Sequence, residues 1–357
     1  MMQIISPFIT KRRDFLLFYI QVVYNNKKSA QLKRCSRMLK TLIIAAVVII
    51  AVAVAISYIC FRVVFYVPQK NKNKTLPIKG KSYDPYRATM RQMLQDARAI
   101  PYTDCYTTSS DGLKLHAKYY ECNKGAVTEI MFHGYRGSAE RDLSGGILRC
   151  FALGRNALVV DQRTSFGSEG NVITFGIKEH LDCHSWVDFA VNHFDDGREF
   201  IITGISMGAS TVLMAAGKPM HPRVKGVLAD CGFTTAKDII CKCARQMKLP
   251  PAIIYPFVKL GAKLFGNFDI DSYSALEGVK NATLPVIFFH GEGDDFVPCY
   301  MSSQLYDACK APKCLVTIPE AGHGLAYLVQ PERYLEEMAE FFTQNGVETK
   351  VVPAEKV

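Results

Sequence analysis

The stretch from Phe200 to Ala216 limits the fold of this chain more than any other. An apolar run, Phe200-Ile201-Ile202-Thr203, meets Gly204-Ile205-Ser206-Met207-Gly208 and passes directly into Ala209-Ser210-Thr211-Val212-Leu213-Met214-Ala215-Ala216, which has the composition of a helix. A strand that becomes a helix within so few residues must turn sharply at the serine and hold it in a strained backbone conformation. Side chains two positions either side would collide there, and both positions are glycine, Gly204 and Gly208. The turn raises a serine hydroxyl at a helix N-terminus, where the dipole favours negative charge. Gly-x-Ser-x-Gly arises by chance in roughly one chain of this length in ten, so the surroundings must decide its meaning.

Those surroundings alternate between strand and helix patterns. Tyr83–Arg98 reads as a helix, with Asp84-Pro85 as its start signal and Met90, Met93, Leu94 and Ala97 as its apolar stripe. From Pro101 the period becomes that of a strand. Asp104–Thr108 and Leu113–Tyr120 flank Ser109-Ser110-Asp111-Gly112, a hairpin with turn chemistry. Further strands are expected over Val127–Phe132, Asn156–Asp161, Phe200–Ile205, Val224–Asp230, Pro285–His290 and Cys314–Ile318. Helices are expected over Ser144–Leu153, Ile177–Phe194, Ala209–Ala216, Met301–Cys309 and Pro331–Gln344. This alternation specifies a mostly parallel sheet covered by helices on both faces, begun by an antiparallel pair. It breaks between Asp230 and Pro285. The insert, about residues 232–284, has helical stretches (Ala236–Gln246, Ile253–Leu264) and clustered prolines and aromatics, and reads as a small helical cap over the C-terminal edge of the sheet.

The N-terminal part has a different character. Leu42–Phe61 carries no charge, and about 20 apolar residues suffice to span a bilayer. No convincing small-residue cleavage site interrupts it, so an uncleaved membrane anchor is expected over residues 41–67. Residues 1–40 are basic, with a shorter apolar run at Phe15–Tyr24, and receive no assigned fold; residues 68–82 read as a linker and 347–357 as a frayed tail. The net charge of +10 comes largely from Lys and Arg in the first eighty residues. It is therefore charge flanking a membrane segment rather than a nucleic-acid surface. Lys27, Lys28, Lys33, Arg34, Arg37 and Lys40 precede the apolar run, against Arg62, Lys70, Lys72 and Lys74 after it. That difference favours an N-terminus in the cytoplasm and a C-terminal domain outside. The twelve cysteines lack zinc-finger spacing, and Cys60, Cys150, Cys183 and Cys231 sit in apolar surroundings as free thiols.

A serine needs a base to act as a nucleophile, and the base needs an orienting acid. Candidates follow two of the expected strands, at the ends where open α/β sheets place ligands: His290-Gly291-Glu292-Gly293-Asp294-Asp295-Phe296-Val297-Pro298, and Ala321-Gly322-His323-Gly324. With Phe132-His133-Gly134-Tyr135-Arg136-Gly137-Ser138 after an earlier strand, and Asp161-Gln162-Arg163-Thr164-Ser165-Phe166-Gly167-Ser168-Glu169-Gly170 after another, the chain from about Tyr102 to Gln344 resembles an α/β-hydrolase of the serine-esterase kind. It is similar to bacterial membrane-anchored hydrolases whose substrates are mostly unassigned. Thr164 departs from the glycine usual at that place.

The resemblance implies the α/β-hydrolase fold over residues 83–346, with a mostly parallel sheet of the eight-stranded type, helices on both faces, the cap, and one preceding transmembrane helix. It implies Ser206 as nucleophile, His323 as base and Asp294 as acid, with Asp295 a solvent-exposed neighbour. Backbone N–H groups of Tyr135 and Met207 would form the oxyanion hole, where side chains are incidental. No cofactor and no metal are expected. His133 and His290 read as loop ties, His180 and His184 as ordinary helix histidines, and Asp161 and Arg163 as braces. Met207 and the insert aromatics suit an acyl pocket and cap packing equally well. The implied activity is hydrolysis of carboxylic esters, on a small or lipid-like substrate, through an acyl-serine. A peptidase, a thioesterase or an acyltransferase would use the same residues. A non-catalytic membrane scaffold on the same fold would be expected to have lost the serine or the histidine.

Overall fold

The computed structural model describes residues 6–68 and 80–347; most of the expected linker and the tail beyond residue 347 lie outside them. The chain divides into two compact units, Met1–Ile56 and Ser57–Val357. The described part of the first is helix throughout, since α1 runs from Ser6 to Val64. Sequence patterning assigned no element before residue 41, yet this stretch holds no glycine, and its one proline, Pro7, stands in the first turn, where no helical hydrogen bond is lost. The uncharged run lies inside α1, and Ile43, Ile44, Val47, Val48, Ile49 and Ile50 are all exposed. Among the described residues α1 is the one helix long and apolar enough to cross a membrane.

The second unit opens with the last turns of α1, from Ser57, then has a 3-10 turn, Lys81–Tyr86, and continues through α2 (Arg87–Ala99), β1 (Thr103–Thr108), β2 (Lys114–Tyr120), β3 (Thr128–Phe132), α3 (Ala139–Ala152), β4 (Asn156–Asp161), α4 (Glu179–His193), β5 (Phe200–Ile205), α5 (Met207–Ala216) and β6 (Val224–Asp230). The insert supplies α6 (Ala236–Gln246), α7 (Pro251–Gly266) and α8 (Ala275–Asn281); then come β7 (Val286–Gly291), α9 (Tyr300–Ala308), β8 (Lys313–Ile318), α10 (Ala326–Val329) and α11 (Pro331–Gln344). The strands form one eight-stranded sheet in the order β1-β2-β4-β3-β5-β6-β7-β8. β2 pairs antiparallel with β1 and β4, and the remaining pairs are parallel.

Both faces of the sheet are covered, which is why β3, β4 and β7 read as continuous buried runs rather than alternating ones. Ile130, Ile202 and Phe288 point to one side, against Trp186 of α4, Leu213 of α5 and Val279 of α8. Ile201, Ile287 and Phe289 point to the other, against Tyr334, Met338 and Phe342 of α11. A buried ion cluster sits in the sheet: the Glu129 carboxylate accepts from Arg149 at 2.5 Å, Arg155 at 3.1 Å and Thr203 at 3.0 Å. Burial opposes its charge, but the two guanidiniums more than offset this and hold the carboxyl below its ordinary range.

Two expectations are corrected. α3 starts at Ala139 rather than Ser144, because Ser138 caps it by accepting from the Arg141 amide at 3.2 Å, and its first turn, Glu140-Arg141-Asp142, is too polar to show an apolar period. The insert is also not all cap. Ala275 and Val279 of α8 belong to the main core, so α8 is a layer helix on the sheet, while α6 and α7 pack with a separate apolar cluster.

Candidate active site

β5 ends in the middle of the sheet, and the turn that follows holds Ser206 at φ 57°, ψ −117°, outside the regions L-residues prefer. Two restraints keep it there. The Ser206 amide donates to the Asp230 carbonyl at 2.8 Å, prolonging the β5–β6 ladder, and α5 begins at the next residue. The glycines are required by close backbone approach: a Cβ on Gly204 would lie 2.1 Å from the Gly208 carbonyl oxygen.

β7 and β8 run parallel to β5, so their trailing loops emerge on the same edge. The loops interlock, with Gly293 N donating to Ala321 O at 3.0 Å and Glu292 N to Ile318 O at 3.0 Å. Asp294 closes a tight turn in which Oδ1 accepts from the amides of Phe296 at 2.9 Å and Val297 at 2.8 Å. Oδ2 accepts from His323 Nδ1 at 2.7 Å and faces His290 Nε2 at 3.3 Å. Burial works against the Asp294 charge, but these histidine hydrogen bonds outweigh it and hold the carboxyl well below the usual carboxylate range. With its proton held on Nδ1, His323 presents an Nε2 lone pair, and the Ser206 hydroxyl donates to it at 2.9 Å. Ser206, His323 and Asp294 are thus brought into one hydrogen-bonded line. Asp295 is exposed, and its carbonyl is tied to Lys242 and Gln246 of α6.

The loop after β3 passes over the serine: a Cβ on Gly134 would lie 3.5 Å from Ser206 Cβ. Tyr135 follows on this loop, and Met207 is the first residue of α5, where amides are left over by the helical ladder. His133 ties the loop down, with Nδ1 donating to Gly134 O at 2.8 Å and Nε2 accepting from Gln162 N at 3.1 Å. His290 does the same for the acid loop through Ser302 at 2.6 Å and Val297 O at 2.8 Å. Asp161 pairs with His116 at 2.8 Å, and Arg163 bridges Asp182 and Asp111. His180 donates to Gly176 O at 2.8 Å, and its ring packs tilted against Tyr273 at 5.2 Å. Among the described residues the one group of three metal-capable side chains is Cys231, Asp294 and His323. Two of these already engage each other, and burial pushes the Cys231 thiol far up.

Beside Ser206 lies an apolar cluster of Met207, Phe175, Phe233, Phe268 and Val297, together with Phe61 and Phe65 from the end of α1 and the residue beyond it. Sequence reading did not place Phe61 or Phe65 here. It also missed Tyr83, whose hydroxyl donates to the His323 carbonyl at 2.9 Å, and Phe296, whose ring lies edge-on to the imidazole at 5.0 Å. Tyr83 and His323 are 240 positions apart, and no local pattern links them.

Comparison with known proteins agrees with this architecture. An esterase of Pyrococcus furiosus superposes with a TM-score of 0.58 at 22% identity, covering 76% of this chain and 97% of its own. Est1E of Butyrivibrio proteoclasticus, solved with ferulic acid bound, superposes with a TM-score of 0.53 at 22% identity, covering 68% of this chain and 100% of its own. Residues 174–347 match the prolyl oligopeptidase family. The chain has the α/β-hydrolase fold. Among curated relatives, the uncharacterized protein YqkD of Bacillus subtilis is 23% identical over 314 residues, 87% of this chain and 100% of that one.

Proposed function

We propose that this protein is a serine hydrolase that cleaves carboxylic esters through an acyl-enzyme. The observation that carries the reading is the line from the Ser206 hydroxyl to His323 Nε2 at 2.9 Å and from His323 Nδ1 to Asp294 at 2.7 Å. His323 takes the serine proton as Ser206 Oγ attacks the carbonyl carbon. Charge gathers on the former carbonyl oxygen, where the amides of Tyr135 and Met207 receive it. His323 then returns the proton to the departing alcohol, and water repeats the sequence on the acyl-serine. Asp294 keeps the imidazole in the required tautomer and stabilises the imidazolium.

The apolar cluster beside Met207 supports an acyl group as the part of the substrate bound there, and the likeness in fold to two esterases points the same way. α1 serves as the membrane anchor, with the N-terminus on the cytoplasmic side, as the basic residues before Leu42 favour. The match to the prolyl oligopeptidase family supports a second reading, a peptidase using the same residues.

A fluorophosphonate probe tests the mechanism: it should label wild type and spare Ser206→Ala. Unlabelled wild type at neutral pH would sink the proposal. Parallel assays on p-nitrophenyl esters, acyl thioesters and peptide amides then choose among substrates, and peptide amides cleaved faster than esters would favour the peptidase. Protease accessibility of the C-terminal domain in intact cells reports the orientation.

A further inference from the structure

The end of α1 and the loop after β3 are joined by two side chains of that loop. Tyr135 Oη donates to the Val64 carbonyl at 2.7 Å, and Arg136 Nη2 donates to the carbonyls of Val63 at 2.8 Å and Tyr66 at 3.2 Å. The last carbonyls of a helix have no partner in its own ladder and carry the negative end of its dipole, so a phenol and a guanidinium suit them. The segment they grip is fixed in turn: Tyr66 bridges Val172, Val67 N donates to Asn171 O at 2.8 Å, and Ile173 N donates to Phe65 O at 2.9 Å. Phe65 is fully buried, edge-on to both Phe175 and Phe268, and Phe175 packs 5.1 Å from the Tyr135 ring.

On the loop side, Arg136 stands at φ 51°, a left-handed conformation that a residue with a side chain keeps only when its surroundings enforce it. It is the third residue of a turn closed by Gly137 N donating to Gly134 O at 3.1 Å, and its guanidinium ties that turn to the α1 end. The neighbouring amide, that of Tyr135, is the one the proposed mechanism aims at the developing oxyanion, and an amide aimed a fraction of an ångström off its target loses much of its effect.

We infer that Tyr135 and Arg136 are positioning residues through which the end of the membrane-anchor helix, Val63–Tyr66, holds the oxyanion loop in its working geometry. This rests on the acyl-transfer reading above. The chain would then be an enzyme whose catalytic power depends on the seating of Val63–Tyr66.

The test uses the full-length chain in detergent micelles, with p-nitrophenyl butyrate as substrate and a trifluoromethyl ketone as the transition-state analogue. Tyr135→Phe removes one oxygen and should lower kcat about 3- to 10-fold, and Arg136→Met about 10- to 100-fold, with KM changed less than about 3-fold. The ketone, whose tetrahedral adduct needs the same amides, should weaken in proportion to kcat/KM, and Arg136→Lys should recover part of the loss. A purely structural role would lower the thermal midpoint without this proportionality. Active wild type with both variants unchanged in kcat, or a loss unmatched by the ketone, overturns the inference and leaves the serine mechanism standing. Wild type that neither turns over ester nor takes the fluorophosphonate overturns both.

Discussion

Gly208 packs so tightly under the end of β3 that a Cβ on it would lie 2.0 Å from the Phe132 carbonyl oxygen. Backbone on both sides leaves no flexible group to yield. Gly208→Ala is expected to destabilise the domain by about 3 kcal/mol or more, the upper range for overpacking. Gly145, inside α3, supplies the contrast, since its added Cβ would meet Tyr327 at an ordinary 3.5 Å. Gly145→Ala should be neutral or stabilise by up to about 1 kcal/mol. Urea unfolding of the two variants beside wild type checks the pair.

Ser206 and His323 should behave as parts of one device. Ser206→Ala and His323→Ala are each expected to lower kcat on an ester by about four to six orders of magnitude, and the double variant should be scarcely worse than either. Additive losses in steady-state assays would mean that the two side chains act separately.

Asp294 and Asp295 are adjacent in sequence but differ in environment, so their variants should separate. Asp294→Asn is expected to lose about four orders of magnitude in kcat because the imidazole tautomer is no longer enforced, while Asp295→Asn keeps most activity. The reverse ranking would overturn the choice of acid.

The same carboxylate gives a pH signature. Its pKa in the fold lies below the ordinary 3.8. Its contribution to stability is therefore complete above about pH 4 and is lost as pH falls through the depressed value. The gap in unfolding midpoint between wild type and Asp294→Asn should shrink below about pH 4, and a gap that widens there would contradict the assignment.

Glu129 has no exposed surface and answers two guanidiniums. Glu129→Gln removes the buried negative charge that both guanidiniums answer, and should cost about 3–5 kcal/mol in chemical denaturation. A loss below about 1 kcal/mol would show that water or another group takes over.

Much of the fold was legible because its signals are local. The β4, β5, β6, α6 and α11 ranges follow from runs and periods that burial on a sheet imposes on neighbouring residues. The α3 start was hidden because a cap works through one side-chain oxygen, leaving no apolar period in the first turn. Residues 6–40 were left without an element because helix propensity without an apolar stripe produces no amphipathic signature.

The sequence by itself determined the elbow, the order of strands and helices, the uncharged run and the short list holding Ser206, Asp294 and His323. Each of these is written within a few neighbouring residues. Only the tertiary structure decided that Oδ2 of Asp294 rather than Asp295 meets the imidazole, that Tyr83 holds the His323 loop, and that Tyr135 and Arg136 grip the end of α1. Those facts depend on which loops a parallel sheet brings to one edge, and contacts between segments so far apart along the chain leave no periodic trace in either one.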